Sequence, residues 1–270
     1  MVLQCYCINL ESDHQRREHC ASEYERAGLP FTVVAATDGR KQDIPSPSAV
    51  DHAEQVRWDE VDRGALEFGF FNRGMNSAER ACAQSHYRVW ERISKSPAGW
   101  YMVNEDDFKL HEIETLTDIL EEMKHCPFDL VYLGYRGGQV RKPSPKRQLQ
   151  QLWHRLKWWF SAKDIVDTMR KNAVLYGEHT PLTGYSTLAK CGMTWGGHAY
   201  CLTPKGATML MSTNRNLRFL PDEALRFAIL EGSVQAGCSI HRPFACEEDF
   251  GSHLRSEDDH QAHHQQFPSA

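Results

Sequence analysis

The chain has 270 residues, 41% of them hydrophobic and 25% charged, and a formal net charge of −5. That composition supports one large α/β domain or two small ones and excludes a disordered chain, while the mild acidity argues against a protein that coats nucleic acid. Nine cysteines without a C-x-x-C pair argue against a secreted disulfide framework and for reduced thiols.

The elements follow in chain order. "VLQCYCINL", Val2 to Leu10, reads as a buried strand, and Cys5 and Cys7 within it read as core rather than zinc ligands. A helix follows, with Asp13 as its cap and Gly28 as its stop. "PFTVVAA" is the next strand, ending in the turn Thr37 to Gly39. Strand, helix, strand in so few residues is a parallel α/β unit of Rossmann type, here without a G-x-G-x-x-G fingerprint. Residues 40–75 read as a long functional loop region. "SAERACAQSHYRVWERISKS" is a helix with an apolar stripe, and "GWYMVNEDD" is a strand ending in three carboxylates. "EIETLTDILEEMKHC" and "FDLVYLG" continue as helix and strand, residues 135–195 interrupt the alternation, and "GGHAYCLT" and "PKGATMLMSTN" restore it. "PDEALRFAIL" is a short helix, and "SVQAGCSIHRPF" is the last strand. The expected layout is one domain over 1–245, with 136–195 inserted and 246–270 as a tail.

Ligands bind beyond the carboxyl ends of strands in open α/β sheets. Asn9, Thr37, Asp38 and the Glu105-Asp106-Asp107 triplet all sit at such ends. Adjacent carboxylates repel and resist burial, so a triplet at the end of an apolar strand is either a solvated turn or a cation site. Glu105 and Asp107 are two apart and can point the same way, with Asp106 opposite, toward a sugar or a neighbouring strand. Arg16 and Arg17 in the first turns of a helix oppose its dipole, which makes sense if an anion such as a diphosphate arrives there. A carboxylate cluster beside a diphosphate then calls for Mn²⁺ or Mg²⁺ between them.

In order, "INL…RR", "ATDG", "SAERACAQSH…W", "VNEDD", "GGHAYCLTPKGA" and "LPDEAL" resemble glycosyltransferase family 25, from Ile8 to about Ala245. The chain departs from the usual pattern at Ala78 and Ala81, where glycines flank the Glu and Cys, and in a basic insertion at 136–180. The resemblance implies a GT-A-like (Rossmann-like) α/β fold, with a mostly parallel sheet flanked by helices and a helical basic insertion. It implies a metal-dependent, inverting transfer of a hexose, galactose from UDP-galactose, to a saccharide of a lipooligosaccharide or similar surface glycan. UDP-glucose and UDP-N-acetylglucosamine are alternative donors, and a non-catalytic sugar-nucleotide-binding protein is the alternative class.

On that resemblance, Asp107, Glu105 and His241 are candidate ligands of Mn²⁺ or Mg²⁺. Asn9, Arg16, Arg17, Asp38, Glu79, His86, Asn104 and Glu105 are candidate contacts to the UDP-sugar. Asp222 is the candidate base, narrowly ahead of Glu223, because a base must reach the acceptor hydroxyl across from the leaving group. Residues 148–163, "QLQQLWHRLKWWFSAK", place apolar and basic side chains at helical spacing and read as a lid or as an interfacial helix on an anionic membrane. No apolar run approaches the roughly 20 residues of a membrane span. The expected location is therefore cytoplasmic, peripheral on the inner leaflet, with no nucleic acid among the partners.

Overall fold

The computed structural model describes residues 3–42, 44, 75–136, 140, 144–146, 149, 152–153, 179–192 and 194–247. Its first unit is β1 (Gln4–Asn9), α1 (His14–Ala27) and β2 (Phe31–Ala35). Asp13 caps α1 by accepting from the Arg16 N–H, and α1 closes on Gly28 in the left-handed conformation, as the residue types predict. The alternation continues with α2 (Ser77–Ser94), β3 (Tyr101–Glu105), β4 (Phe108–Leu110), α3 (Ile113–Met123) and β5 (Leu130–Arg136). After the interruption come β6 (Thr180–Pro181), β7 (Leu188–Lys190), β8 (Trp195–Leu202), α4 (Pro204–Thr213), α5 (Pro221–Glu231), β9 (Ala236–Ser239) and β10 (Phe244–Cys246).

Eight strands form one sheet in the order β2-β1-β3-β8-β5-β9-β7-β6. Six of them point the same way; β8 and β7 run against their neighbours. The α/β, mostly parallel reading therefore holds, with β8 inserted antiparallel between β3 and β5. Two expected strands divide. Glu105 ends β3 while Asp106 and Asp107 form a turn into a short β4, and the last strand breaks into β9 and β10, the latter pairing antiparallel with β4.

Alternation along β1 sends Cys5 and Cys7 to one face of the sheet and Tyr6 and Ile8 to the other. α1 and α3 cover the first face through Cys20, Tyr24, Leu116 and Ile119. α2, α4 and α5 cover the second through Trp90, Ile93, Leu210 and Phe227. All nine cysteines are free, and Cys5 and Cys7 are fully buried core. β1 pairs in parallel with both β2 and β3, so the carboxyl ends of the three strands arrive together. That convergence builds the cleft.

No helix among the described residues is long and apolar enough to cross a membrane. Of the expected lid or interfacial helix at 148–163, only Leu149, Leu152 and Trp153 are described, and all three are exposed; the remainder, most of the 40–75 loop and residues 248–270 lie outside the described residues.

Candidate active site

A cleft opens where β1, β2 and β3 end, lined by Leu10, Arg16, Asp38, His86, Glu105 and Asp107 among others. It encloses about 150 Å³, room for on the order of ten waters. One wall is the turn after β2. The Thr37 backbone N–H donates to Ser85 Oγ at 2.8 Å and its hydroxyl to Gln84 Oε1 at 2.8 Å, so α2 holds the turn. Gly39 lets the turn touch the start of α2, because a Cβ there would lie 2.4 Å from the Ser77 carbonyl oxygen. Asp38 faces the cleft but is held by Arg40 at 2.8 and 2.9 Å, whose hydrogen bonds pull its carboxyl down to about 2.

The three carboxylates of the triplet diverge. Asp106 turns toward α1, accepting from Arg16 at 2.8 Å and from the Asn9 amide at 2.7 Å. It is buried and engaged there, and since Asn9 ends β1, the strand beside β3, the second of the two expected directions, toward a neighbouring strand, is the one it takes. Glu105 turns toward α2, with Oε1 3.3 Å from His86 Nε2, close enough for attraction although the angle makes no hydrogen bond. Burial works against the Glu105 charge, but His86 and more distant cations bring its pKa below the ordinary value. Asp107 is pushed up to about 7, first by burial and then by the Glu105 charge. Two mutually repelling carboxylates in one cleft fit a hard cation between them.

His86 is the end of a buried chain of polar groups. Trp90 Nε1 donates to the Tyr200 hydroxyl at 2.8 Å, and that hydroxyl lies 2.8 Å from His86 Nδ1. With Trp90 already donating to the oxygen, the phenolic proton is free to go to Nδ1, which leaves Nε2–H facing Glu105. Cys82 also lines the cleft, and one ligand atom each from Cys82, His86 and Glu105 lies within 4.8 Å of the others. Burial holds the Cys82 thiol well above its ordinary pKa, so it stays protonated and the ionic donors here are oxygens. With Nε2 protonated, His86 offers no lone pair to a cation, and the donors left are carboxylate oxygens, which fit Mn²⁺ or Mg²⁺ better than a thiophilic ion.

α5 carries Asp222, which is not itself among the residues lining the cleft. Pro221 is its first residue and Leu220 its cap, so Asp222 is not the N-cap that its place after proline suggests. Asp222 is pushed up by burial and then by the charge of Glu105. Glu223 folds back to accept from the Leu220 N–H at 3.3 Å and is buried, which directs it to the helix start.

Several expected contacts are placed elsewhere. Asn9 is buried, bridging Asp106 and Arg17, and Arg17 also binds the Leu10 and Glu11 carbonyls. Neither is among the residues lining the cleft. Asn104 is fully buried under α1, bound by the Tyr24 hydroxyl, so its side chain is out of reach of a ligand. Glu79 is 1% exposed and forms a capping box with Asn76. The seven-residue spacing from Glu79 to His86 does describe one helical side, but the helix start claims the Glu79 carboxylate. His241 lies 3.6 Å from Glu112. Because β10 runs antiparallel to β4, Glu112 and Asp107 are at opposite ends of that ribbon, which separates His241 from the acidic turn.

Sequence reading missed His198, Tyr200 and Cys82. His198 is pushed below its ordinary pKa by burial and by Arg136, against the pull of Glu105. Its signal was the Gly-Gly before it: Gly196 has φ +71°, and a Cβ there would lie 3.1 Å from the His198 ring. Tyr200 is two residues on, on the same side of β8.

The Arg16–Asp106 pair is an anchor with a measurable weight. Both side chains are at most 10% exposed. Asp106→Asn leaves a buried guanidinium with a weaker partner and is expected to cost about 3 kcal/mol in urea denaturation. A loss below about 1 kcal/mol would show that Asp13, 3.5 Å from Arg16, is partner enough.

The mixed sheet with its acidic strand end and facing helices defines a GT-A-like α/β protein. The chain belongs to glycosyltransferase family 25, described as an LPS biosynthesis protein family, whose model matches residues 2–225. It is 24% and 25% identical to proteins named "Glycosyltransferase 25 family member" from Drosophila pseudoobscura pseudoobscura and Aedes aegypti, over 48% and 49% of this chain. It is 26% identical, over 40% of this chain, to "Lipooligosaccharide biosynthesis protein lic2B" from Haemophilus influenzae. The aligned stretches span 20%, 21% and 34% of those relatives.

Proposed function

We propose that this chain is a metal-dependent, inverting hexosyltransferase that moves galactose from UDP-galactose to a saccharide acceptor of a surface glycolipid. The observation that carries this reading is the pair Glu105 and Asp107 in a cleft rimmed by Arg16, with Asp222 close enough to Glu105 to feel its charge. Family membership supports glycosyl transfer, and the lipooligosaccharide name of the Haemophilus relative supports the acceptor class.

Glu105 and Asp107 would hold Mn²⁺ or Mg²⁺, which when bound neutralises the leaving nucleoside diphosphate. Arg16, fixed by Asp106, presents positive charge to the phosphates from the first turn of α1. His86, oriented by Tyr200, holds Glu105 through its Nε2 side. Asp222 takes the acceptor hydroxyl proton; burial and then the Glu105 charge raise its pKa above the ordinary carboxylate value, which makes it a stronger base than a solvated Asp.

UDP with Mn²⁺ should raise the melting temperature, and a panel of UDP-hexoses with Mn²⁺ should then show turnover, fastest with UDP-galactose. Stabilisation without turnover of any donor would identify a binding protein instead. Turnover fastest with UDP-glucose or UDP-N-acetylglucosamine would keep the reaction and change the donor.

A further inference from the structure

A second cluster lies away from the cleft. One ligand atom each from His179, Cys191 and Cys238 falls within 4.8 Å of the others, and all three residues are buried. Cys238 is on β9, and Cys191 follows directly on β7. The antiparallel register pairs Lys190 with Gly237, and the Cys191 N–H donates to the Ala236 carbonyl. Cys191 and Cys238 are therefore diagonal neighbours on one side of the ladder.

The backbone decides what His179 can offer. The Gly192 N–H donates to His179 Nδ1 at 2.8 Å, so Nδ1 carries the lone pair and Nε2 carries the proton. Nε2 is fully buried and meets no partner at full hydrogen-bond geometry, with the Cys238 sulfur beside it. A protonated Nε2 has no lone pair for a cation, which argues against a metal site, and it suits an anionic sulfur instead. Chiefly the Cys191 thiol, then His179 and Tyr135, bring the Cys238 thiol down to about 5 against the cost of burial. Burial holds the Cys191 thiol well above its ordinary value, and its one S–H has two acceptors within reach, the Cys238 sulfur and the Gly192 carbonyl oxygen at 3.1 Å. Of the two, Cys238 is the sulfur that ionises more readily and Cys191 the one held protonated.

We propose that Cys238 and Cys191 form a redox pair in which a hydroperoxide converts the two thiols to a disulfide. The Cys238 thiolate sulfur attacks the terminal peroxide oxygen, the O–O bond breaks, and the released alkoxide or hydroxide takes a proton from water. The Cys191 sulfur, losing its proton, then displaces hydroxide from the Cys238 sulfenic acid. Two thiols and one hydroperoxide give one disulfide, one alcohol (or water) and one water. Diagonal α-carbons in a ladder sit about 7–8 Å apart, wider than a relaxed disulfide spans. Bond formation must therefore draw Cys191 inward. Gly192, bonded to His179, and Thr194, whose hydroxyl donates to the Arg136 carbonyl at 2.9 Å, lie between Cys191 and His198.

The test treats the reduced, folded full chain with hydrogen peroxide, blocks remaining thiols in denaturant and maps the peptides by mass. The first cross-link should join Cys191 to Cys238, and the Gly192 amide should lose protection from hydrogen exchange. Cys191→Ser should abolish the cross-link and leave Cys238 carrying one added oxygen. Should that variant fail to fold, the wild-type map decides alone. Oxidation of Cys238 no faster than that of Cys5 and Cys201, also buried in the sheet, overturns the proposal. So does a stoichiometric zinc ion that must be chelated before these thiols react.

Discussion

Asp107→Asn is expected to lower sugar transfer about a thousandfold while leaving the chain folded, because it removes one anionic ligand from the proposed metal and weakens neutralisation of the diphosphate. The same substitution should stabilise the metal-free chain at alkaline pH. Asp107 is pushed up from 3.8 to about 7 by burial and by the neighbouring Glu105 charge. The fold therefore favours its protonated form: that stability is fully present below about pH 4 and is lost as pH rises through 7. Asn mimics the neutral form at every pH. At pH 8 and without metal, the variant should melt about 5 °C higher, corresponding to roughly 2 kcal/mol after allowance for partial exposure; near pH 4 the difference should vanish. Near-normal turnover by the folded variant with ordinary Mn²⁺ would remove Asp107 from the metal site. A lower melting temperature at pH 8 would show that its carboxylate is compensated.

Asp222→Asn is expected to lower transfer by about three orders of magnitude and leave UDP binding unchanged, since the base acts on the acceptor and not on the nucleotide. Calorimetric UDP affinity beside transfer rates separates the two effects. Glu223→Gln should act differently. Its carboxylate accepts from the Leu220 N–H, and Gln retains an acceptor, so a modest stability loss with substantial activity is expected. If Glu223→Gln is folded and dead while Asp222→Asn works, the base is Glu223. If both work, neither is the base.

Much of this architecture was legible in the sequence because it depends on local rules. The cap at Asp13, the stop at Gly28 and the helix at Ser77–Ser94 follow from side chains within a few residues of each other. The apolar alternation of β1 defined both layers of the core, and the strand-end rule placed the cleft beside Asp38, Glu105 and Asp107. What spacing cannot tell is which partner claims a polar side chain. Asn9 looked like a ligand contact, but its amide binds Asp106 across 97 positions of chain. Glu79 and Glu223 looked like cleft acids, yet the N–H groups of Asn76 and Leu220 at their own helix starts, which no intrahelical carbonyl serves, were nearer.

The sequence by itself determined the α/β class, the family resemblance and the acidic strand end. The tertiary structure alone decided that the triplet splits three ways, that Tyr200 orients His86, and that His179, Cys191 and Cys238 meet. The reason is physical: helix caps and strand alternation are set by neighbours along the chain, whereas burial and charge pairing are set by residues that approach only after the sheet has assembled.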